Sequence, residues 1–254
     1  MKTKRLKKQI EILLGILVTC IVLLSLAVFI MRMKDQQQEA AEPSAETEQT
    51  EETISSSYWV NNVEIPEAGG IRLEHIHIPW DSSRRPGEVR EIRYITIHET
   101  DNRSSGADSA AHSNLLVNDT SDMTGWHYTV DDHSIYHNIP DNEIGWNAGD
   151  NRTDPGGNMN GIGIEMCVNL TNDFNQTMRN TASLAAKLLV TYDLKVDDVR
   201  LHADFMDKVC PHRLITEGRV AEFYEMIRQE YAAEAASELD RRIEALLPVQ
   251  PAEE

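Results

Sequence analysis

The stretch GIGIEMCV, residues Gly161 to Val168, is a short and nearly continuous apolar run broken by a single carboxylate, Glu165. A run of this length fits a strand buried on both faces in the middle of a sheet, where side chains leave water whichever way they point. A charge inside such a strand is out of place on packing grounds, so Glu165 calls for an explanation that packing does not give.

The segments around it set the fold class. Upstream, Arg93 to His98 (RYITIH) alternates and is β-branched, which predicts a strand ending at His98. Trp126 to Val130, the polar Asp131-Asp132-His133 and then Ser134 to His137 read as a hairpin. A loop rich in Gly, Asn and Asp, Asn147 to Asn160, separates that hairpin from the Glu165 strand. Helices fit Asp108 to Val117 and Asn175 to Tyr192, the second with apolar residues at helical spacing. A last helix is expected from about Glu217 toward Leu247, its distal part charged enough to project into solvent. Strands interleaved with helices predict an α/β domain with a mixed central β-sheet flanked by helices.

His98 closes one predicted strand, and His202 follows another short one, Val199 to Leu201. If these strands are neighbours, both imidazoles point into one cleft and Cys210 returns to it on the following loop. Two imidazoles and a thiolate around a tetrahedral ion leave a fourth position open, as catalytic rather than structural zinc requires. Each residue also has a plainer reading: a strand-end histidine hydrogen-bonded in the core, a cysteine serving as a small buried hydrophobe, or a glutamate paired with Arg200 or Lys208. Spacing alone leaves metal and packing both open. His75 and His77 alternate on a strand-like segment ahead of the domain and read as structural.

In order along the chain, ITIHET, GWHYTVDDHSIYHNIP, the WNAGD loop, GIGIEMCVN and LHADFMDKVCPHRL resemble the zinc-dependent N-acetylmuramoyl-L-alanine amidases of the amidase-2 family, relatives of the peptidoglycan recognition proteins. The likeness runs from about Ile92 to Leu214, roughly half the chain. It implies one zinc per chain on His98, His202 and Cys210, a catalytic Glu165 and an oxyanion-stabilising Lys208. It further implies substrate contacts among Trp126, His127, Asn147 and Arg213, and peptidoglycan or its muropeptides as the substrate. There are two departures. Trp126 stands where some members carry a catalytic tyrosine, and Asn147 stands where others have a histidine. The same resemblance keeps open a binding module of this fold that holds muropeptides without cutting them. A hydrolase using Cys210 as nucleophile and His202 as base is a further alternative.

Outside this region, the twenty residues Ile12 to Met31 carry no charge, enough helix to cross a hydrocarbon core of roughly 30 Å. The run is longer than the apolar core of a cleavable signal peptide, so a retained anchor is expected. Lys2, Lys4, Arg5, Lys7 and Lys8 precede it, which keeps the N-terminus cytoplasmic and places the body outside the cell membrane, single-pass. The first 34 residues hold seven of the 24 Lys/Arg and one of the 42 Asp/Glu; the remaining 17 and 41 give the rest of the chain a formal charge of −24. Such a body repels nucleic acid. The expected organisation is a basic segment over 1–11, the anchor over 12–31, an acidic tether over 32–57 and an N-terminal extension over 58–91. The catalytic domain follows over 92–216, then a C-terminal helix and tail over 217–254. Beyond the anchor only Cys167 and Cys210 remain, enough for one disulfide but no framework.

Overall fold

A computed structural model describes residues 63–246. The basic segment, the apolar run 12–31 and the acidic tether lie outside the described residues. Among the described residues no helix is long and apolar enough to cross a membrane.

Seven strands form one sheet: β1 (Glu67–Ala68), β2 (Ile71–His75), β3 (Tyr94–Glu99), β4 (Tyr128–Val130), β5 (Ile135–His137), β6 (Gly161–Met166) and β7 (Val199–Leu201). Their spatial order is β1-β2-β5-β4-β6-β3-β7. The sheet is mixed, as expected. β4 and β5 form the antiparallel hairpin, whereas β4, β6, β3 and β7 run parallel to their neighbours. The strand carrying Glu165 is interior, between β4 and β3. β1 and β2, from the expected N-terminal extension, continue the same sheet through the parallel pairing of β2 with β5.

Alternation along β6 explains its composition. Ile162, Ile164 and Met166 point to one face, where they meet Ile95 and Ile97 of β3, Tyr128 and Val130 of β4 and Val199 of β7 in the main core. The long helix α3 (Phe174–Thr191) covers that face through Phe174, Met178, Ala185 and Leu188, after an α1 (Ser109–Asn118) and a short α2 (Gly157–Asn160) earlier in the chain. Gly161, Gly163 and Glu165 point the other way, the two glycines onto the Asn147–Asn160 loop. A Cβ on Gly163 would lie 2.8 Å from Cγ of Asn147, so the close approach of that loop requires glycine there. The loop is stitched by its own side chains: Asn158 Oδ1 accepts from the amides of Asn147 (2.9 Å) and Ala148 (2.7 Å), and Asp150 accepts from Gly157 and Asn158.

Aspartates start α1 and α3, Asp108 accepting from Ala111 N and Asp173 from Asn175 N. The expected C-terminal helix is α5 (Val220–Leu246), and a short α4 (His212–Thr216), separated from it by Gly218 at φ +68°, precedes it. Near its start α5 buries Phe223 and Ile227 in the main core; from Asp240 onward it is exposed, as its charge predicts. Cys167 and Cys210 are both buried and free, so the disulfide that the sequence allowed is absent.

Candidate metal centre and active site

Parallel pairing brings three chain segments to one end of the sheet. His98 is the penultimate residue of β3, and Ile97 pairs with Leu201, so His202 leaves β7 beside it. Asp204 Oδ2 accepts from Leu201 N at 2.7 Å and tightens the turn that follows. The loop then returns and is closed by a hydrogen bond from Ala203 N to the Cys210 carbonyl at 3.0 Å. Ligand atoms of His98, His202 and Cys210 all lie within 4.8 Å of one another, and all three residues are buried.

The hydrogen bonds fix how the rings are presented. His98 Nε2 stands 3.0 Å from Asn147 Oδ1, an acceptor, so the Nε2–H tautomer is favoured and Nδ1 carries the lone pair. That Nδ1 faces His202 Nδ1 at 3.0 Å. His202 in turn hydrogen-bonds the backbone of Ala148. Burial, reinforced by His202, holds His98 well below the usual imidazole range against the opposing pull of Asn147; burial and then Lys208 lower His202. Both rings are therefore neutral near pH 7, the form that binds metals. Two lone pairs aimed at each other, with outer nitrogens anchored on protein oxygens, suit a cation between them, and this donor set fits zinc. Burial pushes the Cys210 thiol up to about 12, with the charge of Glu165 adding to it and the Glu99 backbone opposing. A free thiolate is thus disfavoured, which counts against Cys210 as an unassisted nucleophile.

Glu165 pairs in register with His98 on one side and Thr129 on the other, so its side chain shares the face of the metal candidate. Its Oε2 is buried with no hydrogen-bond partner. Burial raises the carboxyl to about 8, Lys208 pulls it down and Glu99 pushes it further up. Lys208 is exposed on the same loop as Cys210, whose amide donates to the Lys208 carbonyl at 2.9 Å. The arrangement brings together three candidate metal ligands, a carboxyl that can accept a proton and a cation near it.

The remaining expected site residues divide. Asn147 lies in the site, but as the partner of His98 Nε2, with its Nδ2 donating to the Gly145 carbonyl at 3.0 Å. Trp126 is buried with Ile78, Leu116 and Ile139 and donates to Thr129 Oγ1 at 2.7 Å, next to Glu165 in the sheet. His127 is fully buried: Nδ1 accepts from Gly163 N at 3.0 Å and Nε2 lies 2.9 Å from the Glu143 carbonyl, while burial and then Arg90 lower it to about 3. It braces the back of β6. The guanidinium of Arg213 sits 4.3 Å over the Phe174 ring and pairs with Glu217. Glu99 was not singled out in the sequence: its Oε2 accepts from Arg213 N at 2.7 Å, fixing the start of α4 directly after Cys210-Pro211. The only signal for it is a second acid beside His98 at a strand end.

A family profile described as N-acetylmuramoyl-L-alanine amidase (Amidase_2) matches residues 88–213. The chain is 41% identical over 139 residues to the N-acetylmuramoyl-L-alanine amidase XlyA of Bacillus subtilis, a match covering 54% of this chain and 46% of that protein. With CwlH of the same organism it shares 38% over 145 residues, 57% of each chain. It thus spans about half the length of the curated relatives it matches. The solved catalytic domain of XlyA superposes with a TM-score of 0.58 at 36% identity, covering 62% of this chain and 99% of that domain.

Proposed function

This chain belongs to the amidase-2 family of N-acetylmuramoyl-L-alanine amidases, and from that membership we propose that it is a peptidoglycan hydrolase cutting the amide between N-acetylmuramic acid and the L-alanine of the stem peptide. The observation that carries this reading is the convergence of the His98, His202 and Cys210 ligand atoms within 4.8 Å, beside a buried Glu165 whose Oε2 lacks a partner. His98, His202 and Cys210 would hold one zinc ion. When bound, zinc supplies a Lewis-acid charge that acidifies water and polarises a carbonyl. Glu165 takes the proton from the attacking water and delivers it to the leaving amine, a role suited to a carboxyl raised toward neutrality. Lys208 places an ammonium where negative charge develops on the scissile carbonyl oxygen. Asn147 orients His98, and His127 holds β6 in place behind Glu165.

The body would work outside the cell membrane, anchored by residues 12–31 with residues 1–11 in the cytoplasm and 32–57 as a tether. The uncharged apolar run and the basic residues ahead of it support this. Purified peptidoglycan digested by the protein, with and without a chelator, tests the reaction by mass spectrometry. Free stem peptides beginning with L-alanine, together with intact glycan chains, are expected only without chelator. Release of disaccharides or of shorter peptides instead would reject the assigned bond.

A further inference from the structure

We infer that His75, His77 and His137 form a second site for a borderline divalent cation, zinc foremost, on the face of the sheet opposite the candidate active centre. His137 pairs in register with Tyr128 and with His75, and Tyr128 pairs with Ile164, whose side chain lies in the main core; His98 and Glu165 point the other way. The three histidines offer ring nitrogens that all lie within 4.8 Å of one another. His75 Nδ1 is 3.0 Å and His77 Nε2 is 3.4 Å from His137 Nδ1. His75 and His77 precede the segment matched by the family profile, so the site is built partly outside it.

Protons decide between a packed histidine cluster and a metal site. His75 Nε2 lies 3.1 Å from the Ile65 carbonyl, which only accepts. His137 Nε2 lies 3.3 Å from Asp141 Oδ1, ion-pair distance without hydrogen-bond alignment. The other oxygen of the Asp141 carboxylate accepts from the Tyr192 hydroxyl at 2.7 Å. With the Ile65 carbonyl and the Asp141 carboxylate as acceptors on the outer side, the Nε2–H tautomer is favoured in both rings. The inner nitrogens of His75 and His137 then face each other as bare lone pairs, the arrangement also found between His98 and His202. Two facing lone pairs at 3.0 Å make an unfavourable contact. A divalent cation relieves it without protonating a ring.

The surroundings are those of ligating histidines, with outer nitrogens on a carbonyl and a carboxylate. Strand pairing fixes His75 opposite His137, and the Tyr128 ring stacks on His137 at 4.4 Å and 7°. Glu64 and Asp141 supply negative charge nearby. Neutral imidazoles with no thiolate select zinc, copper or nickel over calcium or magnesium. His75 and His77 are only half buried, which leaves a route for the ion. Filled, the site would pin β2 and the segment after it to the hairpin.

The full-length chain, stripped by chelator and dialysed, is titrated with Zn²⁺ alone, and bound metal is counted by elemental analysis after desalting. Two equivalents are expected in the wild type and one each in His75→Ala, His77→Ala and Cys210→Ser. His77→Cys should restore the second, which separates ligand loss from misfolding. With Co²⁺, Cys210→Ser should keep visible d–d bands and lose the thiolate charge-transfer band, so this site is read apart from the candidate active centre and apart from hydrolysis. One equivalent in the wild type that persists in His75→Ala and His77→Ala and disappears in Cys210→Ser would overturn the inference.

Discussion

Glu165 is held where its charge costs stability, and that cost has a sign. Its carboxyl rises from an ordinary 4.5 to about 8 in the fold, chiefly through burial. Between those values the folded state binds more protons than the unfolded one, so stability falls as pH rises through this window. Glu165→Gln removes the penalty: the metal-free variant should melt above the metal-free wild type at pH 8, with the gap closing near pH 4. Zinc content should be retained while muropeptide turnover falls by about 10²–10⁴-fold. Near wild-type turnover would make Glu165 structural. Lys208 lowers the same carboxyl, so in Lys208→Met the acid limb of the kcat/KM profile should move to higher pH with zinc content intact; an unmoved limb would mean that Lys208 does not act on Glu165. His98, Glu165, Lys208, His202 and Cys210 were legible in the sequence because their chemistry and order are distinctive. Asn147 was marked only as a substrate contact and Glu99 not at all, because their observed roles rest on contacts across 49 and 114 residues that exist only once the loop and α4 are placed.

Among the elements, β6 was readable as a buried strand, but its glycines were not readable as a requirement. Gly and Ile both count as apolar in a linear pattern; only the loop lying on one face separates them. Gly163 is the test. A methyl group there meets Cγ, Oδ1 and Nδ2 of Asn147 at 2.8–3.0 Å, and Asn147 is already held by Gly145 and Asn158. Gly163→Ala should displace the amide from His98 and weaken zinc binding by roughly 10–100-fold, the usual consequence of losing an outer partner. Competition with a chromophoric chelator measures this, and an unchanged affinity would show that His98 needs no such support. The hairpin, α1 and α3 follow their sequence patterns closely. The short α4 is the helix that the sequence pattern did not mark, and Gly218 at φ +68° separates it from the expected C-terminal helix.

For the whole molecule, the segment matched by the family ends at residue 213, but the core does not. Phe223 and Ile227 of α5 are fully buried, and the Tyr224 hydroxyl donates to the Val199 carbonyl at 3.0 Å, on the strand that delivers His202. Phe223→Ala should therefore cost about 3–5 kcal/mol in chemical denaturation; a loss under about 1 kcal/mol would show that α5 is an appendage. At the other end, the proposed anchor makes function depend on which side of a membrane this body would occupy. Five basic residues before the uncharged run favour an external body, because basic flanks stay in the cytoplasm, whereas the formal charge of −24 beyond residue 34 weighs little in orientation. The acidic segment 32–57, rich in Gln, Glu, Ser and Thr, is the proposed tether and the expected point of proteolysis. Protease added to intact protoplasts should then release a fragment beginning near residue 58 that still hydrolyses muropeptides. If the fragment appears only after the membrane is lysed, the orientation is reversed, and a wall-degrading role for this chain is lost with it.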